Sequence, residues 1–249
     1  MKDFLAKEHA ERLQHHQLAD FESLWALQLD CVDDPNLGRG GYSMVAHLSV
    51  DGHPYYLKRQ TSHLAYSWRH PLGEPTLARE FRNIRLYQQL KIPALQAAFF
   101  GQRRVGHEQR AILLTPALEG WCDLGHWLKH WPKLEPIQRQ HILQAVGRLA
   151  RQLHQQHLVH GCFYPKHIFL RDCAQHFEAC LIDLEKTRRP LFWRDNCAIR
   201  DLEPLIRRAR VWSEAEVDGL LSAYLENPDS INLWKNKLLN RQKHKGYGQ

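Results

Sequence analysis

The amino-acid sequence predicts an α+β fold with two lobes, a small antiparallel β N-lobe with one long helix and a mostly helical C-lobe. A segment of alternating apolar character, residues 44–50, precedes the hairpin signal Asp51-Gly52, where glycine supplies a positive φ angle, and a return strand follows it. Apolar residues then recur at helical spacing over about 76–90 and again over about 136–157. With 249 residues, 43% of them hydrophobic, the chain can bury a substantial core.

The N-terminal part of the sequence predicts helices followed by a sheet. Residues 2–29 are rich in helix formers, and Phe21, Leu24 and Trp25 belong to an apolar stripe. A short entry strand after Pro35 and a glycine-rich turn precede two strands at about 44–50 and 55–58. The proline- and glycine-rich segment that follows should break the chain before the helix at 76–90.

The remaining predicted elements are shorter, apart from the helix at 136–157. In chain order they are strands at about 95–100 and 110–115, a hinge at 116–120, strands at 168–170 and 179–182, and helices near 201–210 and 214–225. We therefore expect four parts: a helical N-terminal extension (1–30), an N-lobe (31–117), a C-lobe (118–232) and a basic tail (233–249).

Composition limits the class of partner and the location. A formal charge of +7 favours an anionic partner: a nucleotide, a phosphorylated glycolipid, an acidic membrane surface or a nucleic acid. The tail, whose basic residues are Lys235, Lys237, Arg241, Lys243 and Lys245, is expected to be frayed, either touching an anionic surface or merely solvated. Nucleic-acid binding ranks last because charge is its sole support.

No apolar run approaches the length of a bilayer span, and residues 1–17 are too charged for a signal peptide. We expect a cytoplasmic protein. The six cysteines form no CxxC pair, which predicts reduced thiols rather than a zinc knuckle or a disulfide framework.

Lys58 and Glu80 are candidates for a nucleotide-binding pair. Glu80 lies four residues before Ile84, near the apolar stripe of its helix, where an isolated carboxylate would be costly. It needs a cationic partner, and Lys58 at the end of the hairpin strand can supply one. An exposed strand lysine is the alternative.

The glycine-rich turn before the hairpin is a candidate phosphate cradle. Gly38, Gly40 and Gly41 allow backbone N–H groups to approach phosphate oxygens, while Ser43 replaces the third glycine of such loops. A simple turn is the alternative, because this motif is weak alone.

Asp183 is a candidate metal ligand because it follows the short apolar strand Cys180-Leu181-Ile182. An acid that emerges from a buried strand suits binding of a hard cation. A helix-capping or turn aspartate is the alternative.

Several segments together resemble the lipopolysaccharide kinase (Kdo/WaaP-like) family of the protein-kinase-like superfamily, and within it the InaA-type proteins. The resemblance covers about 36–210, and its motifs are Tyr56-Leu57-Lys58-Arg59, His70-Pro71-Leu72-Gly73-Glu74-Pro75-Thr76 with Arg79-Glu80, His160-Gly161-Cys162-Phe163-Tyr164, and Leu181-Ile182-Asp183-Leu184-Glu185-Lys186.

The resemblance implies a kinase fold that uses ATP and Mg²⁺ and transfers phosphate to a sugar hydroxyl of the lipopolysaccharide core. It implies that Lys58 binds the nucleotide phosphates, Glu80 orients Lys58 and Asp183 holds magnesium. His167 stands where protein kinases have a metal-binding asparagine, and imidazole can also bind metal or orient an acid.

Cys162 departs from this pattern because it stands at the usual position of the catalytic aspartate. A neutral thiol cannot replace the carboxylate that orients the acceptor and takes its proton. Glu185, His160 and His167 are candidate replacement bases, and an exposed turn carboxylate is the alternative for Glu185. Cys162 itself is either a thiolate near metal and lysines or an inert, partly buried cysteine.

Three functions remain open from the sequence. The first is a kinase for a phosphorylated glycolipid or sugar acceptor, with which the basic residues Lys186, Arg188, Arg189 and Arg194 agree, although a solvated basic loop would look the same. The second is a nucleotide-binding pseudokinase with a regulatory or stress-response role. The third is an antibiotic-type phosphotransferase, whose loop also begins His-Gly.

Overall fold

The computed structural model describes residues 2–32, 34–38, 40–67, 70–192 and 195–246. Arg39 of the glycine-rich turn and Arg194 of the basic segment lie outside these ranges. The chain divides into two compact units, residues 1–88 with 95–119 and residues 89–94 with 120–249. The α+β fold predicted from the sequence is confirmed.

Unit 1 is built on an antiparallel sheet of five strands. In chain order these are β1 (Phe4–Leu5), β2 (Tyr42–Val50), β3 (His53–Thr61), β6 (Phe99–Val105) and β7 (Glu108–Pro116), arranged as β1-β6-β7-β3-β2. The predicted Asp51-Gly52 turn joins β2 to β3, and both residues have positive φ angles of 51° and 74°. In place of the predicted entry strand, the described residues before β2 form isolated bridges, among them Asn36 with Ser43.

The N-terminal segment is part of the core of unit 1. It contains the expected helices, α1 (Lys7–His15) and α2 (Phe21–Ala26), and also β1, which the sequence did not predict. Phe21 and Leu24 pack in one buried cluster with residues of β2, β3, β6 and β7. Arg59 of β3 donates to the carbonyl oxygens of Trp25 and Leu27 at 2.6 and 2.8 Å, which fixes the end of α2 against the sheet.

A separate hairpin, β4 (Leu64–Ser67) and β5 (His70–Pro75), precedes helix α3 (Thr76–Gln89). The sequence predicted a break here because β5 contains Pro71, Gly73 and Pro75. Proline has no backbone N–H group to donate to a neighbouring strand. In a two-stranded sheet both strands are edge strands, so a proline can be placed where no partner strand needs that N–H group. The helix itself lies where its apolar periodicity predicted it.

Unit 2 contains a small sheet and most of the helices. The sheet has the order β10-β9-β8, formed by β8 (Cys122–Asp123), β9 (Ile168–Asp172) and β10 (Phe177–Leu181). The helices are α4 (Leu124–Lys129), α5 (Pro136–Gln155), α6 (Asp195–Arg208), α7 (Glu214–Tyr224) and α8 (Ile231–Gly246).

Helices α5 and α7 pack closely enough to require a small residue. A Cβ atom on Gly147 of α5 would lie 2.6 Å from the carbonyl oxygen of Leu220 and 2.7 Å from the Cβ atom of Ala223. These distances are below van der Waals contact, so the helix pair depends on this glycine.

The expectation of a frayed basic tail is wrong for residues 233–246, which are helical. Trp234 and Leu238 lie four residues apart on one face of α8 and are buried. Trp234 packs edge-on against Tyr224, with 5.2 Å between ring centroids, and Lys235 pairs with Asp218 at 2.9 Å. Apolar burial thus orders a segment whose charge alone indicated a loose terminus.

Among the residues that the structure describes, no helix combines the length and apolar character needed to cross a membrane.

Candidate functional site

Unit 1 contains the ion pair that the sequence predicted between Lys58 and Glu80. Lys58 lies in β3, Glu80 lies in α3, and Lys58 Nζ is 2.7 Å from Glu80 Oε1. The Glu80 side chain is 5% exposed and the Lys58 side chain 23% exposed. The carboxylate is therefore desolvated and its charge is balanced by a lysine that still reaches solvent.

The four residues of the predicted phosphate cradle lie in or beside the turn that leads into β2. Gly40 has a φ angle of 72°, while a Cβ atom on Gly41 would come within 2.4 Å of the backbone of Ser62 and His63. The amide of Gly38 donates to the Asn36 side chain and the amide of Gly41 donates to the Gly38 carbonyl. These two amides are used within the turn, so binding a phosphate through them would require the turn to rearrange.

In unit 2, His160 and His167 hold the loop that contains Cys162. His160 Nε2 donates to the carbonyl oxygen of Ile182 at 3.0 Å, and its Nδ1 accepts from the amide of Cys162 at 3.2 Å. Burial lowers the pKa of His160, against the smaller opposing effect of Asp201. A neutral His160 with both nitrogens bonded positions the loop and has no free nitrogen with which to take a proton.

His167 faces Asp183 across a short gap. His167 Nδ1 lies 2.8 Å from the carbonyl oxygen of Cys162 and must donate to it, because a carbonyl oxygen only accepts. In the neutral ring, Nε2 then carries a lone pair, and this atom lies 3.3 Å from Asp183 Oδ2. Two acceptors at this distance need a proton or a cation between them, so this pair could hold a metal ion.

Asp183 itself has an unusual backbone conformation, with φ 58° and ψ 59°. This left-handed region is uncommon for residues other than glycine, although aspartate tolerates it better than most. Its carboxylate makes no capping bond to the 3₁₀ helix Leu184–Lys186 that follows. The carboxylate is 39% exposed and remains accessible to a ligand.

The Cys162 residue is only 4% exposed, and Glu185 is half-buried within the 3₁₀ helix. The loop therefore places a buried thiol where the family resemblance implied a catalytic carboxylate. His160, Cys162, His167 and Asp183 are brought together within unit 2 by direct hydrogen bonds or an ion pair. Lys58 and Glu80 are brought together within unit 1.

Asp201 of α6 is a residue of this loop region that sequence reasoning missed. It is fully buried, and its two carboxylate oxygens accept from the amides of His160 and Gly161 at 2.7 and 2.9 Å. His154 Nε2 lies 3.4 Å from the same carboxylate, and His154 Nδ1 lies 3.0 Å from the hydroxyl of Tyr224. Asp201 thus anchors the start of the loop to the helical core.

Comparison with known proteins assigns the chain to a family. A family model described as "Lipopolysaccharide kinase (Kdo/WaaP) family" matches residues 22–224. The chain is similar to protein InaA of Escherichia coli (strain K12), with 32% identity over 189 residues that cover 75% of this chain and 86% of that protein.

The fold is similar to a solved structure titled "WaaP in complex with acyl carrier protein". The TM-score is 0.74 at 20% identity, over 100% of this chain and 99% of the other. Because the matched family model spans most of the sequence, the chain belongs to the lipopolysaccharide kinase (Kdo/WaaP) family.

Proposed function

We propose that this protein is an ATP-dependent phosphotransferase that acts on a sugar hydroxyl of a lipopolysaccharide-core type of acceptor. In this proposal Lys58 binds the nucleotide phosphates, Glu80 orients Lys58, and the turn with Gly38, Gly40, Gly41 and Ser43 covers the phosphates after rearranging. Phosphoryl transfer depends mainly on positioning and on neutralising charge, which these residue types can supply.

The observation that carries the proposal is the Lys58–Glu80 ion pair in a chain of this kinase family. Pairing with the Glu80 carboxylate fixes the position of the Lys58 ammonium group. Less side-chain entropy is then lost when the ammonium group binds a phosphate. A buried carboxylate that merely stabilised the fold would gain little, because a buried ion pair is often no better than an apolar pair of similar size.

Asp183 and His167 are the residues that would hold Mg²⁺. The partly exposed carboxylate of Asp183 is a hard oxygen ligand, and His167 Nε2 lies 3.3 Å from its Oδ2 atom. A bound magnesium ion would neutralise charge that develops on the transferred phosphoryl group. His160 supports this pair by holding the carbonyl of Ile182, the residue directly before Asp183.

The acceptor side of the reaction rests on fewer residues. Lys186, Arg188 and Arg189 follow Asp183 and carry charge that suits a phosphorylated glycolipid or sugar. Glu185 is the remaining carboxylate next to Asp183 and is our candidate for orienting the hydroxyl in place of the missing aspartate.

A nucleotide-binding pseudokinase with a regulatory or stress-response role is the second candidate, and the buried thiol of Cys162 favours it. Losing a general base typically costs about 10² to 10⁴ in rate. Such a chain could keep nucleotide binding while transfer becomes too slow to matter.

The test combines nucleotide binding with a transfer assay on purified lipopolysaccharide core oligosaccharide. We expect Mg²⁺-dependent ATP binding by the wild-type chain, at least about tenfold weaker binding for Lys58→Ala and Asp183→Ala, and phosphate transfer that both substitutions abolish. Arg82→Ala is the matched control, because it removes the cationic partner of Glu74, another buried carboxylate of unit 1, without touching Lys58.

The outcomes separate the two candidates. ATP binding without transfer would favour the pseudokinase, and unchanged ATP binding in Lys58→Ala would refute both. If Arg82→Ala lost ATP binding as strongly as Lys58→Ala, general loss of stability would explain the effect instead of a phosphate contact.

The same proposal places the protein in the cytoplasm, where ATP is available, with peripheral contact at the inner membrane when a glycolipid is the acceptor. The charge of +7 agrees with an anionic membrane surface. Sedimentation with vesicles that contain anionic lipid, compared with neutral vesicles, tests this part separately.

A further inference from the structure

The turn that joins β9 to β10 brings together three side chains that commonly bind transition metals. The ligand atoms of Cys173, His176 and Glu178 all lie within 4.8 Å of one another. Cys173 pairs with His176 across the turn, with the Cys173 amide donating to the His176 carbonyl at 2.9 Å. Arg171 pairs with Glu178 two residues further along the two strands.

The pleat of the hairpin explains why these side chains meet. Alternate residues of a strand point to the same face, so the pairs Cys173–His176 and Arg171–Glu178 share one face. The short spacing Cys-x-x-His-x-Glu is therefore converted by the turn into a group of one sulfur, one nitrogen and one oxygen ligand.

Arg171 fixes the carboxylate in a way that leaves one oxygen available. Its Nε and Nη2 atoms both donate to Glu178 Oε2, at 3.1 and 2.5 Å, and its guanidinium lies 4.9 Å above the ring of Trp121. Glu178 Oε1 takes part in neither bond. A carboxylate oriented by a hydrogen-bond donor from behind is typical of metal ligands and their supporting residues.

We propose that Cys173, His176 and Glu178 form a zinc site at the tip of the β9–β10 hairpin. Three protein ligands with an open fourth position suit Zn²⁺, which accepts thiolate, imidazole and carboxylate together. Bonds of about 2.0–2.3 Å put tetrahedral ligand atoms about 3.5 Å apart, so the three atoms, which lie within 4.8 Å of one another, need to close by at most roughly 1.3 Å. Forming the zinc–sulfur bond releases the thiol proton of Cys173 to solvent.

This site is distinct from the magnesium site proposed above, and neither proposal depends on the other. Cys173 directly follows β9 and His167 directly precedes it. The five residues of β9 lie between them, which places the two about 20 Å apart along the strand. A metal at the tip would instead fix the register of the strands that lead to His167 and Asp183.

The test is a metal titration of the full-length protein after chelator treatment, with Co²⁺ as the spectroscopic probe and Zn²⁺ measured by competition with a chromogenic chelator. We expect one equivalent of Co²⁺ to give thiolate-to-metal charge-transfer absorption that Cys173→Ser eliminates. We expect His176→Ala and Glu178→Gln to weaken Zn²⁺ binding at least about tenfold.

Two controls make the result specific. Cys197→Ser changes another partly exposed cysteine of unit 2 and should leave the absorption unchanged. The exposed group His15, His16 and Asp51 could also attract a metal but contains no sulfur, so His16→Ala should not alter the charge-transfer band.

The proposal is overturned if the wild-type protein shows no such band, or if the band persists in Cys173→Ser. An unchanged thermal unfolding transition of each variant without metal would show that it is folded. The three ligands occupy the tip of a surface hairpin, so these substitutions should not disturb the core.

Discussion

The two regions proposed to act on the nucleotide differ in how completely each has the charged residues that the family resemblance implies. In unit 1, Lys58 and Glu80 form a close ion pair whose carboxylate is buried. In unit 2, Asp201 anchors the loop and His160 contacts the residue before Asp183, but a buried thiol stands where the family resemblance implies a catalytic acid.

The hydrogen bonds that hold the loop do not use the side chain at position 162. Asp201 binds the amides of His160 and Gly161, and the side chains of His160 and His167 bind the backbone of Cys162. In each of these bonds the loop residue contributes a backbone atom. A different side chain at position 162 would therefore leave the bonding atoms in place. These bonds would therefore support Asp183 equally well with an acid or a thiol at position 162.

Placing a carboxylate at position 162 is the strongest test of this difference between the two regions. Cys162→Asp should preserve ATP binding and raise phosphate transfer by about 10² to 10⁴, the usual contribution of a general base. Cys162→Asn is the matched control because it has the same shape without a basic carboxylate. Single-turnover transfer to core oligosaccharide at saturating ATP measures both.

Equal rates for Cys162→Asp and Cys162→Asn would show that the acceptor geometry has diverged along with the residue. Because the site is buried, the unfolding free energy of both variants must also be measured. A rate gain that appears despite lower stability in Cys162→Asp would be the clearest evidence for an intact acceptor site.

Removing the Asp201 carboxylate tests whether this residue holds the loop of unit 2 in place. Asp201→Ala leaves the buried amides of His160 and Gly161 without an acceptor, so we expect a loss of about 2–3 kcal/mol in the free energy of unfolding. Asp123→Ala is the control, since Asp123 accepts from the amide of His126 at the exposed start of α4 and should cost about 1 kcal/mol.

Urea unfolding measures both losses. Equal losses for the two variants would mean that the Asp201 carboxylate is no more important than an exposed helix cap. We also expect Asp201→Ala, but not Asp123→Ala, to weaken Mg²⁺-dependent nucleotide binding, because the loop supports Asp183 through His160.

The same reasoning from sequence succeeded for Glu80 and could have been applied to Asp201. Glu80 was singled out as an acid near an apolar helical stripe, and the structure gives it the expected partner. Asp201 lies three residues after Ala198 and four before Leu205, and both of these are buried. It was missed because the predicted helix began at 201, whereas α6 begins at Asp195.

Other features depend on contacts between distant parts of the sequence. Strong periodicity predicted α3 and α5, and the Asp51-Gly52 turn predicted β2 and β3. The tight position of Gly41 depends on the backbone of Ser62 and His63, which no local pattern reveals. The sequence did not predict helix α8. Over 231–241, the part of the helix whose side chains the structure describes, Trp234 and Leu238 are buried, and two residues are too few to give a clear apolar period.

The smallest expected effect concerns the protonation of His160. Burial lowers its pKa below the usual value of 6.5, so the unfolded chain binds a proton in a pH range where the folded chain does not. Stability from this residue is therefore present above about pH 6.5 and falls as the pH drops toward the lowered pKa of the folded state.

Replacing His160 with glutamine should reduce the dependence of unfolding free energy on pH between about 7.5 and 5.5. His107→Gln, at an exposed position, should leave that dependence unchanged. An unaltered pH dependence in His160→Gln would mean that folding does not lower the pKa of His160. The imidazole would then be protonated in the folded chain at acidic pH, and its Nδ1 would be a donor facing the amide of Cys162, which excludes the hydrogen bond between them.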